Sequence, residues 1–178
     1  MELEKLLLAN QTVCVVDSFF GDSGKGRVID DLPFLITEGR NGFKVFYRPG
    51  GGANTGHTVF IGDQKYVFHI IPSGALIKDS ECLIGRGVLF DPFSFQKELD
   101  MIGGINLRNT IKIDYAAHVT MPWHIALDVL REDASGSKKV GTTGKGIGPT
   151  IESRDRRKGF ITVQDLEHIN LGKLSSKI

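Results

Sequence analysis

TVCVVDSFFGDSGKGRVIDDL, residues 12–32, is the stretch whose reading decides the fold. Its first third, Thr12 to Ser18, is an apolar, β-branched run of the kind that suits a strand buried on both faces. Glycines follow at once, and Gly21-Asp22-Ser23-Gly24-Lys25-Gly26 falls where that strand is expected to turn into a helix. The helix is expected to start near Gly24, with Val28, Ile29 and Leu32 as its apolar positions, and Pro33 is expected to end or kink it by removing a backbone donor. At such a junction the glycines let the backbone approach a phosphate, the amides of the helix start point at it, and a lysine adds a point charge. The string is not a Walker A loop, which would place glycine at position 19 and serine or threonine at position 26, where this chain has Phe19 and Gly26. An ordinary tight turn is the alternative reading of these six residues alone.

Working outward, strands are expected over Phe43 to Arg48, Thr58 to Ile61, Tyr66 to Ile71, Cys82 to Gly85 and Thr110 to Ile113. Gly62 and Asp63 between two alternating runs read as a tight hairpin. Asp91-Pro92 predicts a helix to about Ile102, with aspartate as N-cap, proline at the first helical position and Gly103-Gly104 just past the end. Another helix fits Pro122 to about Asp133. This alternation argues for one α/β domain over residues 1–178, with helices flanking a mainly parallel central sheet. At 178 residues, 40% of them hydrophobic, the chain can bury a substantial core.

Charge excludes one class of partner. There are 22 basic and 21 acidic side chains, so the basic surface needed to neutralise a row of nucleic-acid phosphates is absent. The first ten residues, MELEKLLLAN, place acidic side chains before a very short apolar run, which is neither a signal peptide nor a membrane span. A cytoplasmic protein is the expectation. Cys14 and Cys82 each lie in an apolar stretch and are expected to be buried and reduced.

The 22 glycines, roughly 12% of the chain against a typical ~7%, cluster in three places. The second cluster, Arg48-Pro-Gly-Gly-Gly-Ala-Asn-Thr-Gly-His-Thr58, packs Asn54, His57 and Thr58 among glycines directly before a strand. His57 could donate to an oxyanion or transfer a proton, and the Gly56 carbonyl could ligate a hard cation such as Mg²⁺. Taken singly, a histidine such as His57 is more often a surface or satisfied core residue, but its neighbours here favour the functional reading. The third cluster, Gly141-Thr-Thr-Gly-Lys-Gly-Ile-Gly-Pro149, repeats the Gly-x-x-Gly-Lys-Gly spacing with hydroxyls in place of Asp22 and Ser23, and its amides with Thr142 and Thr143 would make a neutral phosphate cradle. Glu152-Ser-Arg-Asp-Arg-Arg-Lys158 follows, a run that reads either as a solvated helix face or as the source of an arginine that clamps a phosphate.

In this order the three segments resemble the adenylosuccinate synthetase family. That family carries Gly-Asp-x-Gly-Lys-Gly, then Gly-Gly-x-x-Asn-x-Gly-His-Thr, then Gly-Thr-Thr-Gly-(Lys/Arg)-Gly-Ile-Gly-Pro before a short arginine-bearing helix. His69-Ile-Ile-Pro-Ser-Gly74, Ile84-Gly-Arg-Gly-Val88, Asp91-Pro92 and Ala117-His118 extend the resemblance over about Val13 to Leu166. It covers only the front of a considerably longer family.

The resemblance implies a P-loop-NTPase-like nucleotide-binding core and a ligase that joins IMP to L-aspartate at the expense of GTP. Asp22 and His57 are the implied catalytic pair, with Mg²⁺ held by Asp22 and the Gly56 carbonyl. The GTP phosphates are expected to meet Gly21, Asp22, Ser23, Gly24, Lys25, Gly26, Arg27, Gly56, His57 and Thr58. IMP is expected to meet Asp22, Ser23, Gly24, Lys25, Asn54, Thr55, Gly56, His57 and Thr143. Arg157, at the position where the family sends an arginine across a twofold interface, implies a homodimer in which it reaches the partner subunit's IMP phosphate. The chain departs from the family at Asp17, Ser18, Phe19 and Phe20, where Gly, Thr, Gln and Trp are usual, and at Ser23, where Glu is usual. Phage-encoded relatives that aminate dGMP show a similar Asp and Phe but lack the carboxylate kept here as Asp22, so dGMP is the alternative substrate. The family's Asn-Lys-x-Asp-like guanine element and arginine-rich aspartate loop do not occur in this sequence. A non-catalytic nucleotide-binding fragment, or half of a split enzyme, is the reading from another class.

Overall fold

The computed structural model of the chain describes residues 12–16, 18, 24–35, 45–77, 80–103 and 110–168. Its frame is a parallel sheet of β1 (Val45–Gly51), β4 (Glu81–Phe90) and β5 (Thr110–Ile113), in the order β1-β4-β5, with the short β6 (His118–Val119) paired to the far end of β4. The register runs Val45↔Glu81 and Arg48↔Ile84, then slips so that Gly50 faces Gly87. Pro49 sits at the slip, and its missing N–H cannot serve a ladder. Between β1 and β4 the chain makes an antiparallel hairpin, β2 (His57–Ile61) and β3 (Gln64–Phe68), then a 3₁₀ turn over Ser73–Leu76. Gly62, at φ +57°, opens the two-residue hairpin loop, where the tight turn needs a residue free of Cβ strain.

Helix α1 (Lys25–Leu35) packs against β2. Helix α2 (Pro92–Ile102) follows β4 directly and starts as its residues dictate: Asp91 Oδ1 accepts from Phe93 N at 3.0 Å and Ser94 N at 3.2 Å, and Pro92 needs no partner at the first position. Helix α3 (Pro122–Ala134) lies against α4 (Ile147–Arg156), with His124 Nε2 3.1 Å from Ser153 Oγ. The core has two parts. Phe46, Val59, Tyr66, Phe68, Ile71, Cys82 and Ile102 tie the hairpin and α2 to the sheet. Ala53, Ile70, Ile84, Val88, Phe90, Val119 and Met121 fill the other. Each such large side chain contributes about 1.5–3 kcal/mol by leaving water.

Four expectations need correction. Thr12 to Val16 is not a strand: the run has no hydrogen-bonded neighbour among the described residues, and Val16 is 79% exposed. A strand cannot stand on its own side-chain pattern when no ladder satisfies its amides. Cys14 is therefore exposed, while Cys82 is buried, its thiol pushed up to about 12 chiefly by burial; both are free thiols. Helix α1 runs two residues past Pro33 to Leu35, since proline's fixed φ suits a helix and its cost is one bond in the last turn. Finally, β3 ends at Phe68 instead of continuing to Ile71, because the next three amides have another acceptor, described below.

Candidate active site

The first glycine segment enters the described chain at Gly24, where φ is +83°, and α1 begins one residue later at Lys25. Gly21, Asp22 and Ser23 lie outside the described residues, as do Asp17, Phe19 and Phe20. Gly26, in the first turn of α1, rests on His57: a Cβ there would stand 2.5 Å from the His57 Cβ. Only glycine lets the helix start come this close, so the first turn of α1 lies beside the histidine. Arg27 points along the exposed face of α1 and pairs with Asp31 at 2.8 Å.

The second segment is held from within. Arg48 Nη2 donates to the Gly52 carbonyl at 3.1 Å and to Thr55 Oγ1 at 2.9 Å, and Nη1 reaches the Ile70 carbonyl at 3.5 Å. Thr55 closes the turn, with its N–H 3.3 Å and its hydroxyl 3.2 Å from the Gly52 carbonyl. This leaves Asn54, Thr55 and Gly56 on the surface at the mouth of the site, with Thr58 half-buried behind them. His57 is half-buried, its ring tilted against Phe68 at 5.9 Å. Burial first, then the charges of Arg48 and His69, lower its pKa to about 4, and a hydrogen bond with the Ile71 backbone pulls the other way. Its Nε2 is buried and has no hydrogen-bond partner among the described residues. Buried polar atoms are normally paired, so this nitrogen has a place for a ligand atom. An anionic group set against it would favour the protonated ring and raise the pKa again.

The third segment is held from outside. Gly141 N–H donates to Glu132 Oε1 at 2.6 Å and Gly146 N–H to Asp128 Oδ2 at 2.9 Å, both carboxylates belonging to α3. Those two amides of the expected phosphate cradle are thus already engaged, while Thr142 and Thr143 stand exposed with their hydroxyls at the surface. Gly146, at φ +71°, starts α4, and a Cβ there would meet the Ile125 backbone at 2.8 Å. The second and third segments meet at Gly52, where a Cβ would stand 2.5 Å from Ile147 Cδ1.

The structure therefore brings Gly26 against His57 and Gly52 against the start of α4. Arg157 is apart. It caps the far end of α4 in a left-handed conformation, φ +54°, exposed, about 15 Å along the helix from Ile147. Among the described residues no three His, Cys, Asp or Glu side chains gather to hold a metal. The oxygen set expected for Mg²⁺, a carboxylate and the surface carbonyl of Gly56, suits a hard cation, though Asp22 is outside the described residues.

Three residues of the site carried no assignment in the sequence. Arg48 was legible only as the residue that opens the second segment. His69 lies against Gly56, with Nε2 3.1 Å from where a Cβ would be. Glu98 is buried at 5% exposure and accepts the N–H groups of His69, Ile70 and Ile71. Its signal was its spacing: Phe95, Glu98 and Ile102 share one helix face, and a carboxylate on an apolar stripe needs partners.

The family model described as Adenylosuccinate synthetase matches residues 14–178. The adenylosuccinate synthetase of Stenotrophomonas maltophilia (strain R551-3) is 45% identical over 160 residues, covering 89% of this chain and 35% of that relative. The corresponding protein of Xanthomonas euvesicatoria pv. vesicatoria is 44% identical over the same shares. The chain thus spans about a third of the length of the curated relatives it matches. Among solved structures, the fully ligated adenylosuccinate synthetase of Plasmodium falciparum superposes with a TM-score of 0.71 at 30% identity, over 88% of this chain and 36% of that one. The succinoaminodeoxyadenylate synthetase of cyanophage S-2L, bound to dGMP and to dATP as an energy donor, shares the fold, with a TM-score of 0.62 at 21% identity over 87% and 41%.

Proposed function

The chain belongs to the adenylosuccinate synthetase family, and from that premise we propose that it forms the purine-nucleotide half of the site of a GTP-dependent ligase joining IMP to L-aspartate. The observation that carries the reading is the convergence on His57: Gly26 of α1 rests on it, Arg48 pins the loop before it, and its buried Nε2 has no partner among the described residues. A hydrogen-bonding nitrogen beside a helix start is what a transferring phosphoryl group requires.

In this reading Asp22 takes the proton from N1 of the hypoxanthine ring, and the resulting 6-oxyanion attacks the γ-phosphate of GTP, releasing GDP. His57 donates through Nε2 to the phosphoryl group in transit. The amine of aspartate then displaces phosphate from C6, giving adenylosuccinate. The amides of Gly24 to Gly26 with Lys25 hold phosphate charge, and Asn54, Thr55, Gly56 and Thr143 line the nucleotide. Mg²⁺, when bound by Asp22 and the Gly56 carbonyl, would neutralise charge on the phosphates. Arg157 acts in a homodimer, from one protomer into its partner; its distance from the loop along α4 supports a role outside its own site. We place the protein in the cytoplasm; no helix of the described residues is long and apolar enough to cross a membrane.

The test is a chimera in which this chain replaces the matching third of the Stenotrophomonas relative. With GTP, Mg²⁺, aspartate and IMP it should form adenylosuccinate, detected by mass spectrometry, while the 178-residue chain alone should form none, since positioning of all reactants supplies much of the rate. Arg157→Leu in the chimera should weaken IMP by about 2–4 kcal/mol, the worth of a charge-assisted bidentate contact. Arg156→Leu, which removes a surface pair with Glu152 at 2.9 Å, should change little. Turnover with dGMP exceeding that with IMP would transfer the chain to the substrate class suggested by Asp17, Phe19 and Phe20.

A further inference from the structure

Both carboxylate oxygens of Glu98 are occupied by backbone. Oε1 accepts from His69 N at 2.7 Å and Ile70 N at 3.2 Å, and Oε2 accepts from Ile70 N at 3.1 Å and Ile71 N at 2.8 Å. Three successive peptide N–H groups converge on one buried side chain of α2. The segment so fixed is the one the glycine loop leans on. The Ile70 carbonyl takes Arg48 Nη1, and the Arg48 guanidinium holds Gly52 and Thr55. The Ile71 backbone takes the His57 ring, and the His69 ring fills the space that a side chain at Gly56 would need. His69 Nδ1 itself stands 3.6 Å from Glu98 Oε1. Glu98 also attracts the Arg48 cation electrostatically.

We infer that Glu98 is a positioning residue for the loop from Gly52 to His57: through residues 69–71 it sets where the loop amides and the His57 ring stand, without itself facing the nucleotide. This rests on the reading of residues 54–57 as the part of the site that meets substrate. It also explains why a carboxylate is tolerated in the core, since three amides and two cationic or imidazole groups surround it.

The experiment is amide hydrogen exchange by NMR on this chain without nucleotide, comparing wild type with Glu98→Gln, Glu98→Asp and Ile102→Val. Glutamine keeps the shape but turns an N–H₂ toward a peptide N–H. The expected result is exchange at Thr55 and His57 accelerated roughly tenfold or more, the worth of one charge-assisted hydrogen bond, with β4 amides unchanged. Glu98→Asp, which keeps the charge but withdraws it by one methylene, should fall between wild type and Gln. Ile102→Val, which loosens α2 without touching the carboxylate, should leave the loop as in wild type. Changes confined to 69–71, or the same loop acceleration in Ile102→Val, would overturn the proposal. A parallel titration of wild type with IMP is read separately: its failure counts against the substrate reading, and the exchange result stands on its own.

Discussion

The second and third glycine segments are both held by charged side chains, but from different directions. Residues 48–57 are anchored from beneath, by a guanidinium with four oxygen contacts and a buried carboxylate on the neighbouring backbone. Residues 141–146 are anchored from the side, by Glu132 and Asp128 of α3 bonding to Gly141 and Gly146, and their hydroxyls remain at the surface. A buried polar tie such as that of Glu98 is costly to break because the partner left behind is stranded in low dielectric, whereas an exposed tie such as Gly141 to Glu132 is readily replaced by water. The segment 48–57 is therefore held by the buried Glu98 behind it, while Gly141, at the exposed end of the segment 141–146, is held only by a solvent-facing carboxylate.

The largest expected effect breaks the buried anchor. Glu98→Ala leaves three backbone N–H groups without an acceptor and should cost about 3–5 kcal/mol in urea unfolding. The next probes His57. Because its folded pKa is depressed to about 4 from 6.5, its contribution is fully present above pH 6.5 and is lost as pH falls through 6.5 toward 4. The loss should reach up to about 3 kcal/mol, and His57→Asn should flatten the stability profile in that window. A smaller effect separates two glycines of the third segment. Gly146→Ala meets backbone at 2.8 Å in a left-handed conformation and should cost about 2–3 kcal/mol. Gly141→Ala, also left-handed but in open space, should cost about 1 kcal/mol. Smallest of all, Glu132→Gln should cost under about 1 kcal/mol, since its tie to Gly141 is solvent-exposed.

Much of this architecture was legible in the sequence, and what was not has a physical cause. The start of α2 was readable to the residue because Asp91, Pro92 and Gly103 act locally. Strand β5 and the hairpin at Gly62 were readable for the same reason. The failures are tertiary. Thr12 to Val16 has the pattern of a buried strand but finds no ladder among the described residues, and pattern alone does not supply one. β3 stops at Phe68 because Glu98, 30 residues later in the chain, takes its next amides. The site shows the same division. Glycines, His57 and Asn54 announce themselves by type and spacing, while Arg48, which binds mostly within its own segment, gives no sign of its partners, and Glu98 acts by reaching across elements that local sequence does not join. The convergence of Gly26 on His57 and of Gly52 on Ile147 was likewise beyond reach. It depends on how helices dock on the sheet.

The central claim, that the glycine segments form one nucleotide site around His57, is tested most directly by mapping IMP onto the amide spectrum of this chain. The account predicts concerted, saturable shifts at Gly24 to Gly26 and Asn54 to Thr58, lost together in His57→Asn. Shifts confined to residues 141–146, or none at Gly24 to Gly26 and Asn54 to Thr58 at saturating IMP, would contradict it.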